Sequence, residues 1–130
     1  MHRRVLLLFL LVLGGCLWRS YDDILAVHVE VLTQMADKLA DTAAVGRLQG
    51  VGEYVYPAKR GRQFLQQFSR YDARSSYKGL SAFLDRYEQM VAEVDAARPG
   101  GQIDVDRLKS EAAALHESSV AIRRQAAAGD

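Results

Sequence analysis

The chain has a single cysteine, Cys16, and no apolar run long enough to cross a bilayer. With no second cysteine, an internal disulfide, a Cys-x-x-Cys redox pair and a four-thiolate zinc site are all excluded. Its longest apolar run, Val5–Leu13, is nine residues, and extending it to Trp18 gives fourteen. A spanning helix needs roughly 20, because each residue adds about 1.5 Å against a hydrocarbon core of about 30 Å. Other absences narrow the chemistry. There is no H-E-x-x-H zinc motif, no G-x-S-x-G nucleophile elbow and no glycine-rich phosphate loop following a strand. Neither an internal repeat nor a low-complexity tract is present.

What the chain does have starts at residue 1. His2, Arg3 and Arg4 form a short basic start, and the apolar run follows at once. A basic region followed by 7–15 apolar residues is the pattern of a secretory signal peptide. Leu13-Gly14-Gly15-Cys16 then places two small residues between an aliphatic residue and the only thiol. This resembles the lipobox of bacterial lipoproteins. The resemblance covers residues 1–16 and implies cleavage before Cys16 and acylation of that cysteine. Residues 1–15 are then a signal peptide and 16–130 one domain, with 16–19 as anchor and linker. Several acyl chains hold a protein on a bilayer where one is marginal. By the same resemblance, Leu17 rather than Asp after the cysteine implies the outer membrane, with the domain facing the periplasm.

Removing Arg3 and Arg4 with the signal leaves 15 Lys and Arg against 16 Asp and Glu. The near balance hides an asymmetry. Residues 54–87 carry a net +5, and residues 16–53 and 88–130 carry −3 each. Arg60, Arg62, Arg70, Arg74 and Lys78, interleaved with tyrosines, are the candidate partner-binding residues. An exported protein does not ordinarily meet nucleic acid, so the partner expected is another envelope protein or an anionic envelope component. The alternative is that these cations are solvated faces offset by the acidic helices beside them.

The rest of the chain reads as helices. Ser20-Tyr21-Asp22-Asp23 resembles a capping box. Leu25, His28, Leu32, Met35 and Leu39 follow at spacings of 3 and 4, with Ile24, Val29, Val31 and Ala36 widening the stripe, predicting a helix over 21–44. Gly46, Gly50 and Gly52 punctuate a connection, and the spacing predicts an extended "EYVYP" with Pro57 opening a helix over 57–71. Tyr77, Leu80, Leu84, Tyr87, Val91 and Val94 mark a helix over 76–97, capped by Ser75 or Ser76 and ended by Pro99-Gly100-Gly101. Asp104 caps a fourth over 104–125, with Val105 or Leu108, then Ala112, Leu115, Ser119 and Ile122 on its seam, and the final "AAAGD" is expected to fray. The fold class expected is all-α, a small irregular antiparallel four-helix bundle. The alternative is a three-helix core with 57–71 as a peripheral arm.

Candidate catalytic groups are sparse. Asp22-Asp23 and Asp104/Asp106 sit at helix starts, where capping and the helix dipole account for them. His28 and His116 could lie level on adjacent antiparallel helices, about 10 and 13 Å from one end of the bundle. That arrangement would suit a haem or another bound ligand. Against it, Leu25, Leu32, Met35 and Leu115 would fill the space around His28. The expectation is therefore no metal and no cofactor, with His116 partly exposed. The chain is read as a non-catalytic interaction or accessory module, with a periplasmic ligand- or haem-binding bundle as the alternative. In size and class it is similar to the small helical lipoproteins that chaperone secretion-channel subunits (pilotins), a likeness of class that no motif carries.

Overall fold

A computed structural model describes residues 20–130. Cys16 and the apolar run before it lie outside the described residues. Four helices follow one another: α1 (Tyr21–Ala44), α2 (Gly52–Gln67), α3 (Ser75–Ala97) and α4 (Val105–Ala127). Single 3-10 turns, Ser69–Tyr71 and Arg98–Gly100, fall in the second and third connections. Among the described residues there is no strand, and no helix is long and apolar enough to cross a membrane. The chain is an all-α four-helix bundle running up, down, up, down. Its broadest contact is between α1 and α4, and the diagonal contact between α1 and α3 is slight.

Local chemistry sets several helix ends. The Ser20 hydroxyl accepts from the Asp23 amide at 3.3 Å, and the Asp104 carboxylate accepts from the Arg107 amide at 3.0 Å. At the end of α1, Gly46 takes φ +68°, where a Cβ would be strained. Its amide reaches the Ala43 carbonyl and the Arg47 amide reaches Thr42, closing the open carbonyls in a Schellman turn.

The core is continuous. Leu25, Val29, Leu32, Leu39, Leu80, Leu84, Tyr87 and Leu115 are all fully buried. The seams expected of α3 and α4 match the buried residues, save that Tyr77 is only part-buried and that Leu108 rather than Val105 is buried. In α1 the expected Leu25, Leu32 and Leu39 are buried, and between them it is Val29 and Ala36, expected to widen the stripe, that are buried, while His28 and Met35 lie at the margin. The small residues Ala36, Ala40 and Ala43 extend the buried face, so it is wider than large side chains alone suggest.

The main correction concerns α2. Residues 52–56 are helical rather than extended, Pro57 lies inside the helix, and the helix ends at Gln67 rather than 71. Tyr54, Ala58, Gly61, Phe64 and Leu65 form its buried face. Tyr54 fixes the start: burying a whole aromatic side chain outweighs extending the segment along the surface. The proline leaves the Glu53 carbonyl without its helical donor. The next carbonyl, Tyr54, accepts from the Tyr87 hydroxyl of α3 at 2.7 Å. Gly61 lets α2 sit close on its neighbours, since a Cβ there would lie 3.0 Å from Leu84 Cδ2.

A second correction concerns the C-terminal residues. They pack rather than fray: Ala126 is buried, and the Asp130 amide donates to the Gln125 carbonyl at 3.0 Å. Neither Ser75 nor Ser76 caps α3. The Ser75 amide donates to Asp130 Oδ1 at 3.3 Å and the Ser76 amide to the Asp130 carbonyl at 3.1 Å. A residue 55 positions away thus supplies the acceptors that the local sequence was expected to provide.

Candidate functional site

The two histidines occupy different surroundings. His28 turns toward α2, its ring 5.1 Å from that of Phe64. Burial, and then the Arg60 charge, lower its pKa from the ordinary 6.5. His116 is exposed on α4. Among the described residues no three His, Cys, Asp or Glu side chains gather as a metal site.

The five candidate cations do not form one surface. Arg60 and Arg62 lie two positions apart on α2, about 200° around the axis. Arg60 flanks His28, whereas Arg62 reaches α3, donating to Asp85 at 2.6 Å and Glu88 at 2.7 Å. Burial disfavours the Arg62 charge, but these hydrogen bonds more than offset it and raise its pKa. Arg70, Arg74 and Lys78 lie at the α2–α3 connection. Arg74 stacks over Tyr71 at 4.5 Å and over Tyr21 at 5.3 Å, and it pairs with Asp22 at 3.5 Å. Arg70 covers Tyr71 from 4.9 Å. Much of the net charge of residues 54–87 is therefore neutralised by neighbouring helices, Arg86 with Glu111 included.

Below those guanidinium groups an aromatic cluster closes the end of the core. Tyr21 stacks on Tyr71 at 4.4 Å and on Phe64 at 5.6 Å, with Phe68 alongside. Tyr21's hydroxyl meets the Ser76 hydroxyl at 3.1 Å, and burial raises its pKa.

A groove of about 540 Å³ runs between α2 and α3. Tyr54, Ala58, Tyr87 and Val91 form its buried floor, and Val51, Val55 and Ala92 form its walls. Lys59 and Arg62 rim the α2 side, Glu88 and Asp95 the α3 side. From Val51 to Gln63 it follows α2 for about 18 Å, three helical turns. The Arg62 pairs with Asp85 and Glu88 strap one end. Lys59 has no acidic partner among the described residues. The groove holds no nucleophile with a base beside it, so what its lining offers is apolar contact and an oriented rim.

Of the five candidate cations only Arg62 lies on the groove, and sequence reasoning did not anticipate the groove itself. Part of its apolar lining comes from residues that look like loop or filler in sequence: Val51, Val55, Ala58 and Ala92. Only the helical start of α2 puts the first three on one side. No family model, curated protein or solved structure matches the chain.

Proposed function

We propose that the chain is a bacterial envelope lipoprotein. It is anchored by lipid on Cys16 in the outer membrane, faces the periplasm, and works as a non-catalytic interaction module. The anchor rests on the basic start, the short apolar run and Leu13-Gly14-Gly15-Cys16. The observation that carries the interaction role is the α2–α3 groove. Its length suits three turns of a helix, its floor is apolar, and its rim carries opposite charges on its two sides. The partner is an amphipathic helix of another envelope protein, lying along the groove with an acidic residue toward Lys59 and a basic one toward Asp95.

Two experiments test this reading. Cys16→Ala should abolish metabolic labelling with palmitate, and continued labelling would refute the anchor. For the module, a photo-crosslinking residue replaces Val55, Ala92 or, as a control on α4, the exposed Glu117. A discrete protein adduct at the two groove positions, absent at Glu117 and lost when Lys59→Glu is added, is the expected result. Equal adducts at all three positions would remove the groove from the mechanism.

A further inference from the structure

We propose that the end of the bundle carrying Ser20 and the α2–α3 connection is a bilayer-facing surface, docked on anionic phospholipid. The inference rests on the lipid-anchor reading above and adds which face of the domain meets the membrane, and why.

Reach comes first. Three residues separate Cys16 from Ser20. Fully extended, the step from Cys16 to Ser20 covers at most about 14 Å. A lipid on Cys16 therefore holds the start of α1 close to the headgroups, whatever path the linker takes. The opposite end of the bundle is the length of α1 away, about 36 Å. That is several times the screening length of about 8–10 Å at physiological salt.

The chemistry of the near end fits the position. Asp22 is engaged by Arg74, and Asp130 is taken up by the α3 amides. Among the described residues at this end, Arg70, Lys78, Arg123 and Arg124 have no acidic partner, and Asp23 and Asp72 have no basic one. The unpaired groups thus leave an excess of positive charge. Between them lie the part-buried rings of Phe68, Tyr71 and Tyr77, the side chains that suit the water–lipid boundary.

The far end has the opposite character. Residues 37–53 and 93–107, which contain it, sum to −3, whereas residues 20–25, 67–79 and 121–130 sum to +1. An anionic surface attracts the near end and repels the far one, so the field orients the domain in the sense that the linker permits. Residues 20–25, 67–79 and 121–130 expose no large aliphatic side chain, and the contact is electrostatic and interfacial rather than inserted.

The test uses the full lipidated protein on vesicles of phosphatidylcholine, with or without roughly one-third phosphatidylglycerol, and a headgroup nitroxide quencher. With Cys16 acylated, Ser69→Cys at the near end or Gln102→Cys at the far end provides the only free thiol for a fluorophore; both positions are exposed. Quenching at Ser69 should exceed that at Gln102 about threefold or more on anionic vesicles, and salt, neutral lipid or Arg70→Glu with Lys78→Glu should shrink the difference. Vesicle flotation keeps the two readings apart. Protein that fails to float refutes the anchor, and the docked face with it. Protein that floats but shows equal quenching at both sites, or a difference indifferent to lipid charge, refutes the docked face alone.

Discussion

The Tyr87 hydroxyl donates to the Tyr54 carbonyl across the α2–α3 interface at 2.7 Å, one residue past the carbonyl that Pro57 leaves without a helical donor. Burial pushes the Tyr87 phenol well above its ordinary pKa, so it remains a donor throughout the physiological range. Tyr87→Phe should keep the packing and lose about 0.5–1.5 kcal/mol, or more if the carbonyl finds no water. Chemical denaturation with an unchanged m-value checks this, and an unaltered midpoint would show that the bond adds nothing net to the α2–α3 interface.

Tyr54's own hydroxyl is the reverse case. The residue is fully buried, and the hydroxyl has no partner among the described residues. An unpaired buried hydroxyl costs about 1–3 kcal/mol. Tyr54→Phe should therefore leave stability unchanged or raise it, by about 1 kcal/mol at most after the small loss of packing. A clear loss in thermal unfolding would reveal a partner for this oxygen.

His28 predicts a pH dependence. Its folded-state pKa lies below the ordinary 6.5, so the unfolded chain binds the proton more tightly. Stability from this group is complete above about pH 6.5 and declines as pH falls from there toward the lowered value. Comparing wild type with His28→Gln between pH 5 and 7 isolates it: the difference in stability should favour wild type most at pH 7 and shrink toward pH 5. A difference independent of pH would contradict the assignment.

Leu84 lies fully buried beside Gly61. Leu84→Ala should cost about 2–5 kcal/mol, a large part of what a small domain has. A loss below about 1 kcal/mol by denaturant titration would show that the α2–α3 interface packs loosely enough to refill the space.

Asp130 should behave as a long-range cap. Asp130→Ala removes the side-chain acceptor of Ser75 but keeps the carbonyl that serves Ser76, and should cost about 0.5–1 kcal/mol. Deleting residues 129–130 removes both acceptors and should cost more, with faster hydrogen exchange confined to the first turn of α3. Equal stability of all three proteins would mean that water serves these amides as well.

How far the sequence could be read depended on where each signal lies. Leu80, Leu84, Tyr87, Val91 and Val94 repeat large apolar side chains at helical spacing and end at Pro99-Gly100-Gly101, so α3 is plain from composition and period. In α2 the buried face passes through Ala58 and Gly61, whose small size hides the period, and Pro57 imitates a boundary. In α1 Leu25, Leu32 and Leu39 fit two registers, one through His28 and Met35 and one through Val29 and Ala36, and only the packing of the neighbouring helices buries the second. The groove and the Asp130 cap escape sequence reading for a different cause: each is made by partners far apart in the chain, and no local pattern encodes such a meeting.

Ser76 joins the two ends of the described chain: its hydroxyl meets Tyr21 and its amide meets Asp130. The two ends of the described bundle are thus neighbours, and a short linker joining residues 130 and 20 would allow the bundle to be circularly permuted, with new ends opened at 98–104. The same geometry governs tagging. A reporter fused after Asp130 emerges beside the start of α1 and would crowd whatever lies there, whereas one inserted near Gly101 projects from the opposite pole and leaves both chain ends undisturbed.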